Sequence, residues 1–183
     1  MASSPSPERR LPPLRPAELD DEQRALRERL MTPAGRVETA PDGTLHGPFD
    51  AMLRAPRSGT ALQALGAALR YSGVLPDRVR ELAILRVAAH HRSAYEWHAH
   101  APVAAALEVV DPHAERVAVA AVDELLGTGD LTDDAWSRTV DALGEAGAVE
   151  LTTVVGYYAL LAMQLRVLRV PLPDGAPPAT FCT

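Results

Sequence analysis

The stretch Val79-Arg80-Glu81-Leu82-Ala83-Ile84-Leu85-Arg86-Val87-Ala88-Ala89, followed shortly by Ser93-Ala94-Tyr95-Glu96-Trp97-His98-Ala99-His100, decides how this chain reads. No period-two alternation runs through it, and its Ala, Leu and Arg content favours helix. Pro76 suits the opening of the first helix and Ser93 the cap of the second. Two joined helices then carry a cluster of carboxylates and imidazoles. In the second, Glu96 and His100 are four residues apart and Ser93 is three before Glu96, so all three share one face. Glu81 stands among residues so apolar that its charge needs a partner or a shifted pKa. That partner should lie nearby, and a neighbouring Arg78, Arg80 or Arg86 is a candidate.

Outward from this hairpin, the rest of the chain also reads as helix. Ala17 to Met31 alternates charge around Leu19, Leu26 and Leu30, and residues 32–48, with Gly35, Pro41, Gly43, Gly47 and Pro48, form a long loop. A short turn from Phe49 to Arg54 precedes Ser58-Gly59-Thr60, which would cap a helix from Ala61 to Tyr71. Further helices are expected from His113 to Leu126, from the Thr132 cap to Glu145, and from Val149 to Val170. Nine of the 16 prolines fall within residues 1–16 and 171–183, so residues 1–15 and 174–183 are expected to be disordered arms around one domain at 16–173.

Composition agrees with an all-α class. Hydrophobic residues make up 47% and aromatics only 4%, with Ala, Leu and Val dominant, which suits closely packed helices, and 183 residues is ample for one core and short for two. The net charge of −6, with no basic run longer than two residues, argues against nucleic acid as a partner. The single cysteine, Cys182, excludes an internal disulfide and a cysteine metal cage. No apolar leader opens the chain and no run approaches the roughly 18 apolar residues of a span, so a soluble, cytoplasmic protein without membrane contact is expected.

The spacing Glu81, Glu96, His100 after Leu75-Pro76-Asp77-Arg78-Val79-Arg80, with Gly47-Pro48-Phe49 upstream and Val154-Val155-Gly156-Tyr157-Tyr158 downstream, resembles the carboxymuconolactone decarboxylase family, within the alkylhydroperoxidase-D-like superfamily. The likeness covers roughly residues 40–173. The peroxidase branch has a Cys-x-x-Cys pair where this chain has Ser93-Ala94-Tyr95-Glu96, so thiol chemistry is unavailable there. The resemblance implies an alkylhydroperoxidase-D-like helical bundle assembled as a homo-oligomer, a trimer or hexamer. It also implies a cofactor-independent lyase or isomerase acting on a small carbonyl or carboxylate compound. Apolar surface on the helices at 113–126 and 149–170 likewise points to subunit contacts.

Within that resemblance His100 would be the proton donor or acceptor, Glu96 the second acid/base, and Glu81 the group that sets their charge and tautomer. An ordinary surface pair is the plainer reading of Glu96 and His100, but Tyr95, Trp97, Ala99, Pro102 and Val103 make their helix apolar, and desolvation brings such groups toward working pKa values. Pro102 cannot donate to the His98 carbonyl and would kink the helix or leave that carbonyl facing a pocket. Ser93 is a cap sooner than a nucleophile, as no Gly-x-Ser-x-Gly elbow surrounds it. Ser93, Trp97, His46 and Phe49 are candidate substrate contacts, as is Tyr157 or Tyr158, one of which should pack in the core. His90, His91, His98 and His100 with Glu96 invite a metal reading, but His98 lies roughly 200° around the helix from His100, so no metal is expected. The rival functions are a metal-dependent lyase or hydrolase and a non-catalytic relative of the peroxidase branch.

Overall fold

The computed structural model describes residues 9–31, 37, 39–109, 111–173 and 176–181. Among them are seven α-helices: α1 (Asp21–Leu30), α2 (Pro48–Arg54), α3 (Pro56–Tyr71), α4 (Asp77–His90), α5 (Ala94–Ala106), α6 (Pro112–Thr128) and α7 (Asp133–Leu168). An isolated bridge joins Thr39 and Leu45. The class is all-α, as the sequence leads one to expect.

Helix α4 is the centre of the bundle, packed against α5, α6 and α7. Its burial explains why its sequence is apolar on every side: Val79, Ala83, Ile84, Val87 and Ala88 are all inaccessible, and so are Arg80 and Glu81. Leu151, Val154, Leu161 and Leu165 of α7 close the core. Burying such side chains contributes about 1.5–3 kcal/mol each.

Several boundaries depart from the sequence expectation for local reasons. The first helix begins only at Asp21, after a single 3-10 turn at Pro16–Glu18, because Asp20 caps it in a reciprocal box with Gln23. Phe49–Arg54 belongs to a helix, α2, and not to a turn. Helix α3 starts at Pro56, five residues early, since Pro56 takes a first-turn position and the Ser58 and Thr60 hydroxyls donate back to the carbonyls of Ala55 and Pro56 instead of capping. The two expected final helices run on as α7, broken at Gly144, whose φ of 73° and ψ of 166° are not helical. By length and composition α7 could cross a bilayer, contrary to the expectation that no run comes close, yet half of that stretch is buried within the bundle.

The amino-terminal arm is anchored over part of its length. Asp50 of α2, 1% exposed, accepts hydrogen bonds from the Leu14 backbone at 2.8 Å and from Arg9 at 2.9 Å. Arg54 reaches the Pro12 carbonyl and the Arg10 backbone donates to Leu168. Residues 9–15 are therefore held on the bundle instead of loose; residues 1–8 and 174–175 and Cys182 lie outside the described residues.

Candidate active site

The hairpin between α4 and α5 brings the acidic and basic groups together. Helix α4 ends with the Ser93 backbone donating to Ala88 at 2.8 Å and Arg92 to Ala89 at 3.1 Å, with Arg92 left-handed at φ 51°. This tight reversal starts α5 at Ala94 and lays it along α4. Ser93 holds the N-cap position, but its side chain makes no capping bond; its hydroxyl is buried without a hydrogen-bond partner in the structure.

Across the hairpin, His100 Nδ1 lies 2.6 Å from Glu81 Oε2. The other Glu81 oxygen faces Arg80 Nε at 3.6 Å, while Arg80 Nη1 donates to Asp77 at 2.9 Å. Of the arginines that could have paired with Glu81, it is Arg80 that does; Arg78 binds Glu115 and Arg86 binds Asp123. With Nδ1 turned to Glu81, the imidazole presents Nε2 to Glu96, whose Oε2 is 3.6 Å away. Glu81, Glu96 and His100 are 1%, 3% and 5% exposed, so the array is desolvated. Burial is the main cause that pushes the Glu96 carboxyl up to about 7, against the opposing pull of His100 and Arg70 and with added push from Glu81.

Glu96 and His100 open onto a cavity of about 490 Å³ between α2, α3, α5 and α7. Phe49, Met52, Ala67 and Leu161 give it apolar walls, and Gln63, Arg70, Tyr71, Tyr95 and His98 add polar groups. Both Tyr157 and Tyr158 line it. The Tyr158 ring stands edge-to-face on His100 at 5.2 Å and Tyr157 on Tyr158 at 5.2 Å, so both adjacent residues line the wall while packing in the core. Burial pushes the phenol of Tyr157 up to about 12 and that of Tyr158 higher, leaving both as neutral hydroxyls. Two close approaches shape the walls. A Cβ on Gly66 would lie 2.3 Å from the Tyr157 hydroxyl, so α3 meets α7 where only glycine fits; a Cβ on Gly47, at φ 63°, would meet the Tyr95 ring at 2.4 Å.

Of the residues the sequence singled out, Glu96, His100, Phe49, Tyr157 and Tyr158 border the cavity, and Glu81 sits behind His100. Ser93 is buried away from it. Trp97 faces elsewhere and packs edge-to-face on Phe181 at 5.5 Å, and half-buried His46 is outside the lining, one residue before the Gly47 turn. His98, set aside by helical angle, does reach the cavity, which wraps around more than one side of α5. The α3 wall was missed; its only sequence signal was Gln63, Ala67 and Arg70 falling on one helical face. Among the described residues no group of three or more His, Cys, Asp or Glu side chains is arranged to hold a metal ion.

Comparison with known proteins adds two findings. Residues 56–137 match the carboxymuconolactone decarboxylase family, a segment that includes Glu81, Glu96 and His100 and stops short of Tyr157 and Tyr158. The fold is similar to the crystal structure of a protein from Ralstonia eutropha JMP134 described as an alkylhydroperoxidase AhpD core and an uncharacterized peroxidase-related protein, with a TM-score of 0.69, 16% identity, and coverage of 92% of this chain and 94% of that chain. No curated protein matches the sequence.

Proposed function

We propose, for a chain whose residues 56–137 match the carboxymuconolactone decarboxylase family, a cofactor-independent lyase or isomerase that moves protons on a small carbonyl or carboxylate compound. The observation that carries this reading is the buried line Glu81, His100, Glu96, in which one carboxyl is raised to about 7 at the edge of a cavity. Such a group is both a competent acid and a competent base near neutral pH.

In a decarboxylation of a β-keto acid, the bond to the carboxylate carbon breaks, carbon dioxide leaves, and the electron pair becomes an enolate. The enolate needs a hydrogen bond to its oxygen and then a proton on carbon. Glu96 in its protonated form supplies that proton, and His100 Nε2, 3.6 Å away, returns one to it from solvent. In an isomerisation the same pair removes a proton from the carbon beside the carbonyl and replaces it elsewhere. Glu81 keeps the imidazole in the orientation and tautomer that leave Nε2 free for this exchange. Cys182 is the sole thiol of the sequence, so the Cys-x-x-Cys redox cycle has no counterpart at Ser93 and Glu96.

The test is a panel of β-keto acids and enolisable keto acids, followed by carbon dioxide release and by exchange of the α-proton in deuterated water. Substrates turned over by the parent should be turned over roughly 10²–10⁴-fold more slowly by His100→Asn. Rates within threefold of the parent would remove His100 from the chemistry.

A further inference from the structure

Resting on the acid–base reading above, we propose that Arg80 is a positioning residue of the site. Facing Glu81 from inside the bundle, it holds that side chain as a carboxylate, so that the imidazole of His100 carries its hydrogen on Nδ1 and turns a bare Nε2 toward Glu96.

Glu81 has a different neighbour at each oxygen. Oε2 lies 2.6 Å from His100 Nδ1, and Oε1 lies 3.6 Å from Arg80 Nε. Arg80 is itself buried, and its Nε has no hydrogen-bond partner in the structure. Its Nη1 donates at 2.9 Å to Asp77, an exposed residue one helical turn earlier. The guanidinium is thus tethered at one nitrogen and keeps a buried N–H edge for Glu81. Asp77 stands in water, where its charge is screened, whereas Arg80 and Glu81 face each other out of water. The other arginines of α4, Arg78 and Arg86, are taken by Glu115 and Asp123 of α6.

Counting charge gives the proton positions. A desolvated array tends to zero net charge, because an uncompensated buried charge costs more than gaining or losing a proton. With Arg80 balancing Glu81, the imidazole can stay neutral, and a neutral imidazole beside a carboxylate places its hydrogen on the nitrogen that faces it. Nε2 then only accepts, so the proton between it and Glu96 stays on the carboxyl.

Without Arg80 the array would be negative and take up a proton. On the imidazole, that proton leaves hydrogen on both nitrogens; on Glu81, it is donated to Nδ1 and the ring hydrogen moves to Nε2. Either way an N–H points at Glu96 and favours its carboxylate, which removes the acid. The remaining titratable or charged groups at the array and its cavity are His98 of α5, Arg70 of α3 and the neutral phenols of Tyr157 and Tyr158 on α7. Direct pull on Glu96 comes from His100 and Arg70; Arg80 acts on it through Glu81 and His100.

Nitrogen-15 NMR of full-length protein labelled in its histidine rings reads which nitrogen carries hydrogen, with His100→Asn identifying the signals. In the parent near neutral pH, Nδ1 is expected to carry it and Nε2 to be bare. In Arg80→Gln, Nε2 should gain a hydrogen. The Glu96 midpoint, read by carbon-13 NMR, should fall from about 7 by about one pH unit or more, whereas the mere loss of a nearby positive charge would raise it. Arg80→Lys keeps the charge and should show the parent pattern at both nuclei, which decides the matter even where the glutamine variant fails to fold. Hydrogen on Nε2 in the parent, an unchanged ring or a raised Glu96 midpoint in folded Arg80→Gln, or loss of the pattern in folded Arg80→Lys would overturn the role of Arg80. No turnover enters these readings. The expected ring pattern with keto-acid turnover unaffected by His100→Asn would refute the chemistry alone; turnover lost in His100→Asn with Nε2 protonated in the parent would refute the role of Arg80 alone.

Discussion

Glu81 Oε2 and His100 Nδ1 meet at 2.6 Å across the α4–α5 hairpin, with the two side chains 1% and 6% exposed. Few contacts in the bundle join polar groups so deeply, and this one decides which imidazole nitrogen faces the cavity.

Replacing Glu81 by Gln keeps the shape and one acceptor oxygen but loosens the choice of tautomer and drops the attraction to Arg80. Turnover should fall about tenfold to a hundredfold, less than for loss of a direct acid/base group, with stability changed by only about 1 kcal/mol. Glu81→Leu leaves Arg80 and His100 without their buried partner and should cost about 3–5 kcal/mol in urea unfolding. A leucine variant as stable as the parent would show that the contact holds nothing together.

The raised carboxyl of Glu96 makes stability depend on pH. In the unfolded chain Glu96 titrates near 4.5, and in the folded protein near 7, so between those values the folded state keeps a proton that the unfolded state releases. Stability therefore declines as pH rises through that window, and the penalty is complete above it. At about 1.4 kcal/mol per pH unit it is on the order of 3 kcal/mol. Glu96→Gln, which has nothing to ionise, should be the more stable protein at pH 8 and lose that advantage toward pH 5. A constant difference between the two across this range would contradict the shift.

Gly66→Ala offers a steric test of the α3 wall. Alanine in a helix is ordinarily favoured over glycine by roughly 0.5–1 kcal/mol, but here the new Cβ would fall 2.3 Å from the Tyr157 hydroxyl. A net loss of about 1–3 kcal/mol is expected. Tyr157→Phe in the same chain should recover only part of it, because the ring carbon remains 2.9 Å from the Cβ. A stabilised Gly66→Ala protein would mean that α3 and α7 do not approach so closely.

Asp50→Ala should free the segment from Arg9 to Leu14 and leave the Leu14 amide and Arg9 without their acceptor. About 1–3 kcal/mol of stability should go with it, and limited proteolysis should cut within residues 9–15 sooner than in the parent. Unchanged cleavage there would show that the anchor does not restrain the arm.

The α4–α5 hairpin was legible because its signals are local. Glu96 and His100 four apart share a helical face by geometry alone, and Glu81 in an apolar run announces burial without naming the partner. The α3 wall was illegible because the shared helical face of Gln63, Ala67 and Arg70 gains meaning only when α3 lies across α7, a tertiary fact that the face alone does not state. Asp50 hid for the same reason, as its partners Arg9 and Leu14 lie 41 and 36 residues away. Ser93 and Trp97 misled in the opposite direction. Both sit beside the cluster in sequence, yet Ser93 turns into the bundle at the start of α5 and Trp97 turns toward Phe181. Past the end of α4, Arg92 takes the left-handed position that glycine usually fills.

A carboxyl still partly protonated at neutral pH beside His100 is the foundation of the proposed chemistry, and it is measured directly by carbon-13 NMR titration of full-length protein labelled at glutamate Cδ, with Glu96→Gln assigning the resonance. The expected result is one glutamate with a midpoint near 7, absent from Glu96→Gln, and displaced to higher pH in His100→Asn because the imidazole pulls it down in the parent. If the Glu96 resonance titrates instead in the ordinary glutamate range near 4.3, the site holds no acid at neutral pH and the account is contradicted.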